Sequence, residues 1–166
     1  MEPCENAIKI EHDDPKMIQK FVKSYNENKV CETFVPEPDY SNEDDWYEWR
    51  YQNWGIKCDF GREDNDVIDV DSETTEVTVW FDTPDDPPIE LYEYLTEELG
   101  FRIHAEFYQL SDYFYGMFET KDKQITVDMD YESLDMVLKS LEKLKHHLPL
   151  CYVDLKEYLE EELEDE

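Results

Sequence analysis

Between Ala7 and Glu11 apolar and polar positions alternate, with Ile8 and Ile10 on one face, and this period of two predicts a short half-buried strand. The rhythm then changes to that of a helix. Asp14-Pro15 reads as its start, because an Asp side chain accepts from unpaired amides and a Pro at the first helical position already carries the right φ. Met17, Ile18, Phe21, Val22 and Tyr25 follow as one apolar stripe. Glu32 to Ser41 is interrupted by Pro36 and Pro38, which predicts a loop or extended edge. Asn42 to Asp45 caps a second helix carrying Trp46, Tyr47, Trp49, Arg50 and Trp54, which ends near Gly55, and Lys57 to Phe60 is expected as a strand. From Gly61 to Thr75 periodicity lapses and acids accumulate, so a solvated loop or edge is expected.

Alternation returns over Glu76 to Asp82, with Val77, Val79 and Phe81 facing one way and Thr78 and Trp80 the other. Asp85-Asp86-Pro87-Pro88 opens a helix through Ile89, Leu91, Tyr92, Leu95 and Leu99, closed by Gly100. Strands are predicted over Arg102 to Leu110 and Tyr113 to Thr120, joined by a turn at Ser111-Asp112, and a third over Gln124 to Asp128. Tyr131 to His147 reads as an amphipathic helix, and Tyr152 to Glu166 as a last helix running into an acidic tail. Strands and helices in this order define an α+β fold, an antiparallel sheet with helices mainly on one face. Residues 1–130 form the α+β domain, and 131–166 a C-terminal helical extension packed on it.

The charge changes the picture more than the pattern does. Asp and Glu number 45 against 15 Lys and Arg, a formal net charge of -30 spread along the chain. Such a surface repels nucleic acid and anionic membranes and attracts basic proteins over a range set by salt. With 40% hydrophobic and 14% aromatic residues the chain is nevertheless built for a packed core. Lys supplies most of the basic residues and bulky aromatics abound, which argues against adaptation to high salt as the cause of the acidity. Cys4, Cys31, Cys58 and Cys151 stand at least 27 residues apart, so zinc-ligand spacing is lacking and reduced core thiols are expected. No leader-like start, apolar span or Asn-x-Ser/Thr sequon is found, which fits a cytoplasmic protein.

Little in the sequence points to catalysis or to a bound group. Nucleophile-elbow, phosphate-loop and HExxH motifs are missing. A calcium-loop reading from Asp64 fails, because Asp69 stands where Gly is needed and Thr75 where the closing Glu is needed. No metal and no cofactor is therefore expected. The aromatic helix could form a ligand platform, but large aromatics on an amphipathic element are usually core. Asn53, Lys57 and Asp59 around Gly55 read first as the makers of a tight turn.

The stretch Trp46-Tyr47-Glu48-Trp49-Arg50-Tyr51-Gln52-Asn53-Trp54-Gly55-Ile56-Lys57-Cys58-Asp59 resembles the W-Y-x-W-x-x-x-N-W-G-T-K-W-D signature of the YubB-type proteins of phages and plasmids. Ile56 and Cys58 stand in place of that family's Thr and Trp. Phe81-Asp82-Thr83 followed by Pro87-Pro88-Ile89 is similar to its F-x-T-A-W-S-P-P-I segment, with Pro84, Asp85 and Asp86 replacing Ala-Trp-Ser, and Cys4-Glu5-Asn6 fits its opening. The resemblance implies a ferredoxin-like domain and a mobile-element origin. It implies no reaction.

Charge and resemblance together lead to the expectation of a non-enzymatic phage-type inhibitor that engages a basic, nucleic-acid-binding host protein as a DNA mimic, in anti-restriction, anti-CRISPR or similar counter-defence. Neither nucleic acid nor membrane is expected as a direct partner. Carboxylates two apart on a strand lie about 6 to 7 Å from one another, and four apart on a helix about 6 Å, near the spacing of successive phosphates on one DNA strand. The expected contacts are Asp59, Glu63, Asp64, Asp66, Asp69, Asp71 and Glu73, with Asp85 and Asp86. The alternatives are an acidic interaction module working through the C-terminal helices, a small-ligand protein with its site beneath the Trp46–Asp59 turn, and an assembly component.

Overall fold

The computed structural model describes residues 3–109, 114–120 and 149–164. Four strands form one antiparallel sheet in the order β2-β1-β3-β4, with β1 spanning Cys4–Glu11, β2 Glu76–Thr83, β3 Arg102–Gln109 and β4 Phe114–Glu119. The helices are α1 (Pro15–Asn26), α2 (Val30–Phe34), α3 (Trp46–Asn53), α4 (Ile89–Glu97) and α5 (Tyr152–Glu164). Since β2 and β3 both run antiparallel to β1 and flank it, β2-α4-β3 is a split βαβ unit, consistent with a ferredoxin-like α+β architecture. The turn expected at Ser111-Asp112, the strand at 124–128 and the helix at 131–147 lie outside the described residues.

Alternation along each strand sorts the side chains onto two faces. On the inner face Ile8 and Ile10 of β1 meet Val79, Val77, Ala105 and Ile103 across the register, and Phe81 stands opposite Asn6. They pack with Ile18, Phe21 and Tyr25 of α1 and with Leu91, Tyr92 and Leu95 of α4 in one buried core. Helix α1 starts as its sequence demands, with the Asp14 carboxylate accepting from the Lys16 amide at 3.0 Å and Pro15 in the first turn. Gly100 adopts a φ of +75° after α4. The outer face carries Glu5, Lys9, Trp80, Asp82, His104, Glu106 and Tyr108, and α5 approaches from that side, as the bonds from Leu150 and Cys151 to Glu106 show. Most helices thus pack on the inner face, with the C-terminal α5 on the outer one.

Several local expectations are corrected. Val30–Phe34 is a short helix where loop was expected from Glu32 onward, because Asp59 caps it from a distance and Val30, Cys31 and Phe34 bury their side chains. Residues 57–60 bend instead of pairing as a strand: the Asp59 side chain takes the Phe60 amide and the Phe60 carbonyl takes the Val30 amide. Cys58, expected in the core, is exposed in that bend, whereas Cys4, Cys31 and Cys151 are buried free thiols. Helix α3 buries none of its residues fully; Trp46 and Tyr47 are exposed, and it is Trp54, just past its end, that enters the core. No helix among the described residues is long and apolar enough to cross a membrane.

Candidate functional site: an acidic cavity on the outer face

The 61–75 segment is anchored where the sequence shows only acids. Asn26 at the end of α1 pairs with Ile68 like a strand neighbour, donating to its carbonyl at 2.8 Å and accepting its amide at 2.9 Å. Arg62 donates its amide to the Tyr25 carbonyl and its Nη1 to the Asn65 carbonyl, while the Glu63 amide donates to Asn28 Oδ1 at 2.7 Å. Asn65 Nδ2 and the Tyr25 hydroxyl both donate to the Trp80 carbonyl, which ties the start of this segment to the edge strand β2. Glu63, with a φ of +49°, and Asp64 are thereby fixed beside the outer face of the sheet.

Between this anchored stretch and the start of α5 lies a cavity of about 320 Å³. Glu5 and Asp82, register partners on β1 and β2, form part of its wall with Trp80 and Tyr108; Glu63, Asp64 and Asn65 close one side, and Leu150, Cys151 and Asp154 the other. Five carboxylates thus line it, and no Lys, Arg or His is among its described lining residues. Burial, and next the charge of Glu5, raises the Asp82 carboxyl above its ordinary range. Burial together with Asp82 and Asp64 raises Glu63. The Tyr108 phenol is also pushed up, by burial and by its bond to the Glu5 carboxylate. Trp80 leaves 51% of its surface exposed, an aromatic face beside clustered negative charge. This is the composition that receives a guanidinium or ammonium group, through ion pairing and cation–π contact.

The nine acids singled out in the sequence divide. Glu63 and Asp64 line the cavity. Asp66, Asp69, Asp71 and Glu73 remain exposed further along the loop, and Asp71 closes a local turn by accepting the Glu73 amide and the Thr74 hydroxyl. Asp85 pairs with Lys57 at 3.5 Å, and the carbonyl of exposed Asp86 accepts the Thr83 hydroxyl. Asp59 is turned inward, accepting the amides of Cys31, Glu32 and Phe60, and burial still raises its carboxyl. Glu5, Asp82, Asp154, Trp80 and Tyr108 were not among the expected contacts. Strand alternation could have placed Trp80 and Asp82 on one face, but only register brings Glu5 to them.

The residues that resemble the YubB-type signature form a packed turn. Trp54 is buried and donates Nε1 to the Val35 carbonyl, Trp49 meets it edge to face, and Asn53 donates to the Trp49 carbonyl. Gly55 holds a φ of +83° against the start of α4. Among the described residues, no three His, Cys, Asp or Glu side chains are placed to hold a metal ion. Comparison with protein-family models, curated proteins and solved structures finds no match to the chain.

Proposed function

We propose that the protein binds a basic, nucleic-acid-binding partner through its acidic outer surface and blocks it by imitating DNA, as a non-enzymatic phage-type inhibitor. The observation that carries this reading is the cavity in which Glu5, Glu63, Asp64, Asp82 and Asp154 stand together without a cation among its described lining residues. Five like charges in one cavity repel one another, and a positive group supplied from outside relieves that repulsion. The exposed acids of the adjoining loop extend the negative field and speed encounter. The likeness of the Trp46–Asp59 turn and the Pro87-Pro88-Ile89 segment to YubB-type sequences supports a mobile-element setting, with defence nucleases and nucleoid proteins as target classes and the host cytoplasm as the site of action.

Affinity capture from phage-host lysate, at low and at high salt and with duplex DNA as competitor, tests the reading. A basic partner that is lost at high salt, displaced by DNA and not retained by the Glu63→Lys/Asp64→Lys/Asp82→Lys variant supports it. A partner retained by that variant, or indifferent to salt and DNA, overturns it. The cavity's size and the exposed face of Trp80 favour a second reading, a free organic cation such as a polyamine. Trp fluorescence and thermal stabilisation on titration with spermidine distinguish it.

A further inference from the structure

Glu106 stands in the middle of β3 on the outer face, opposite Ala7 of β1 and Met117 of β4, and its side chain is 0% exposed. Its Oε1 accepts the amides of Leu150 and Cys151, each at 2.9 Å, and its Oε2 accepts the Leu150 amide at 3.0 Å and His104 Nε2 at 2.6 Å. The other ring nitrogen of His104 faces the Glu119 carboxylate on β4. An imidazole donates from both nitrogens only when protonated, and in that state the cluster is one imidazolium held between two carboxylates. Leu150 and Cys151 immediately precede α5, where amides lack helical partners and the helix dipole favours an anion. The local sequence Pro149-Leu150-Cys151 offers no Ser, Thr, Asp or Asn to cap them. A carboxylate 44 residues back in the chain does so instead.

We propose that Glu106 is a latch that holds the start of α5, and with it the Leu150–Asp154 wall of the acidic cavity, against the sheet, with His104 as the counter-charge that keeps the latch closed. The device goes beyond the partner reading and rests on intramolecular geometry alone. Among the described residues, the other cations on the elements packed here are engaged elsewhere, Lys156 of α5 with Glu160 at 3.9 Å. Lys9, opposite His104 on β1, pairs with Glu11 at 3.7 Å and Glu76 at 3.4 Å; Arg102 on β3 is taken by Glu11 and Asp13; Glu5 on β1 and Asp154 on α5 add negative charge. Burial alone would lower the His104 pKa, but its bonds to Glu106 and Glu119 outweigh it and the net shift is upward from 6.5. A raised histidine stabilises fully below its unfolded value and loses that contribution as pH rises through the folded value. Above that range one ring nitrogen turns a lone pair toward a carboxylate, and the latch loosens.

Hydrogen exchange of the full-length protein, read by NMR as protection factors corrected for intrinsic rates, tests the latch. Between about pH 6 and about pH 8.5, protection at the Leu150 and Cys151 amides should fall roughly tenfold relative to amides in the middle of α1. His104→Gln should leave these two amides weakly protected at every pH, and Glu106→Gln should lower their protection further. Protection that does not change with pH, or a His104→Gln profile that matches wild type, overturns the proposal. If Glu106→Gln does not fold, His104→Gln carries the test alone.

Discussion

The guanidinium of Arg50 closes on the carboxylate of Glu37 through two parallel hydrogen bonds, Nη2 to Oε1 at 2.6 Å and Nε to Oε2 at 3.0 Å. Its third arm donates to the Lys57 carbonyl at 2.6 Å, and its plane lies 5.1 Å from the Trp46 ring centre and 4.9 Å from that of Trp54. One side chain thus joins the proline-containing loop, α3 and the turn after it. A lysine can replace neither the fork nor the stacking. Arg50→Lys should cost about 2 kcal/mol and Arg50→Ala about 3, read from urea midpoints at unchanged slope. A lysine variant as stable as wild type would show the fork to be dispensable. Arg50 also holds the Glu37 carboxyl below its ordinary 4.5, so this contribution is present above that pH and lost as pH falls through the lowered value.

Two glycines near this turn predict a ranking. A Cβ on Gly61 would sit 2.4 Å from the Asn28 Cα and 2.5 Å from the Tyr25 carbonyl oxygen, both backbone atoms that cannot swing aside. A Cβ on Gly55 would first meet the Glu90 carboxylate, a flexible group, but the φ of +83° adds strain. Gly61→Ala should therefore cost roughly 3 kcal/mol or more and Gly55→Ala about 1 to 2. Thermal unfolding of the pair checks the order, and the reverse order would show that the end of α1 yields more easily than the turn.

Asp59 gives a prediction that separates structure from recognition. With three amides on its carboxylate, Asp59→Ala should destabilise by about 2 kcal/mol through loss of the α2 cap. It should leave the salt dependence of partner association almost unchanged, in contrast to Asp82→Lys. A salt slope that falls as far for Asp59→Ala as for Asp82→Lys would return Asp59 to the binding surface.

What could be read from the chain follows a physical divide. Helix α1 and strand β2 were legible because their signals are local: the Asp14-Pro15 start, the Met17–Tyr25 stripe, and the alternation of Val77, Val79 and Phe81. Helix α2 was not, because its cap is Asp59, which lies 28 residues from Cys31. The inward turn of Asp59 was hidden for the same reason, since composition cannot tell a carboxylate facing solvent from one spent on amides. Half of the candidate site was visible as the acidic stretch at Glu63 and Asp64. The other half depends on the β1–β2 register that sets Glu5 beside Asp82, and on α5 returning to the outer face. Both are products of the tertiary fold.

The crowded carboxyls of the cavity also set how the whole protein responds to pH. Burial and neighbouring negative charge raise Asp82 from 3.8 and Glu63 from 4.5, so the folded state binds these protons more readily than the unfolded chain does. Their ionisation opposes folding above the raised values, and that opposition is relieved as pH falls through them. His104 acts in the same direction at higher pH, whereas Glu37 acts oppositely only once pH approaches the lowered range of its carboxyl. Scanning calorimetry should therefore find Tm higher at about pH 5.5 than at about pH 7.5, with the difference shrinking in about 0.5 M salt as the charges are screened. The Asp82→Asn/Glu63→Gln variant should gain Tm at the higher pH. A wild-type Tm that climbs steadily from pH 5.5 to 7.5 would mean that the repulsion is already neutralised within the molecule, and the cavity would then hold no unmet negative charge to offer a basic partner.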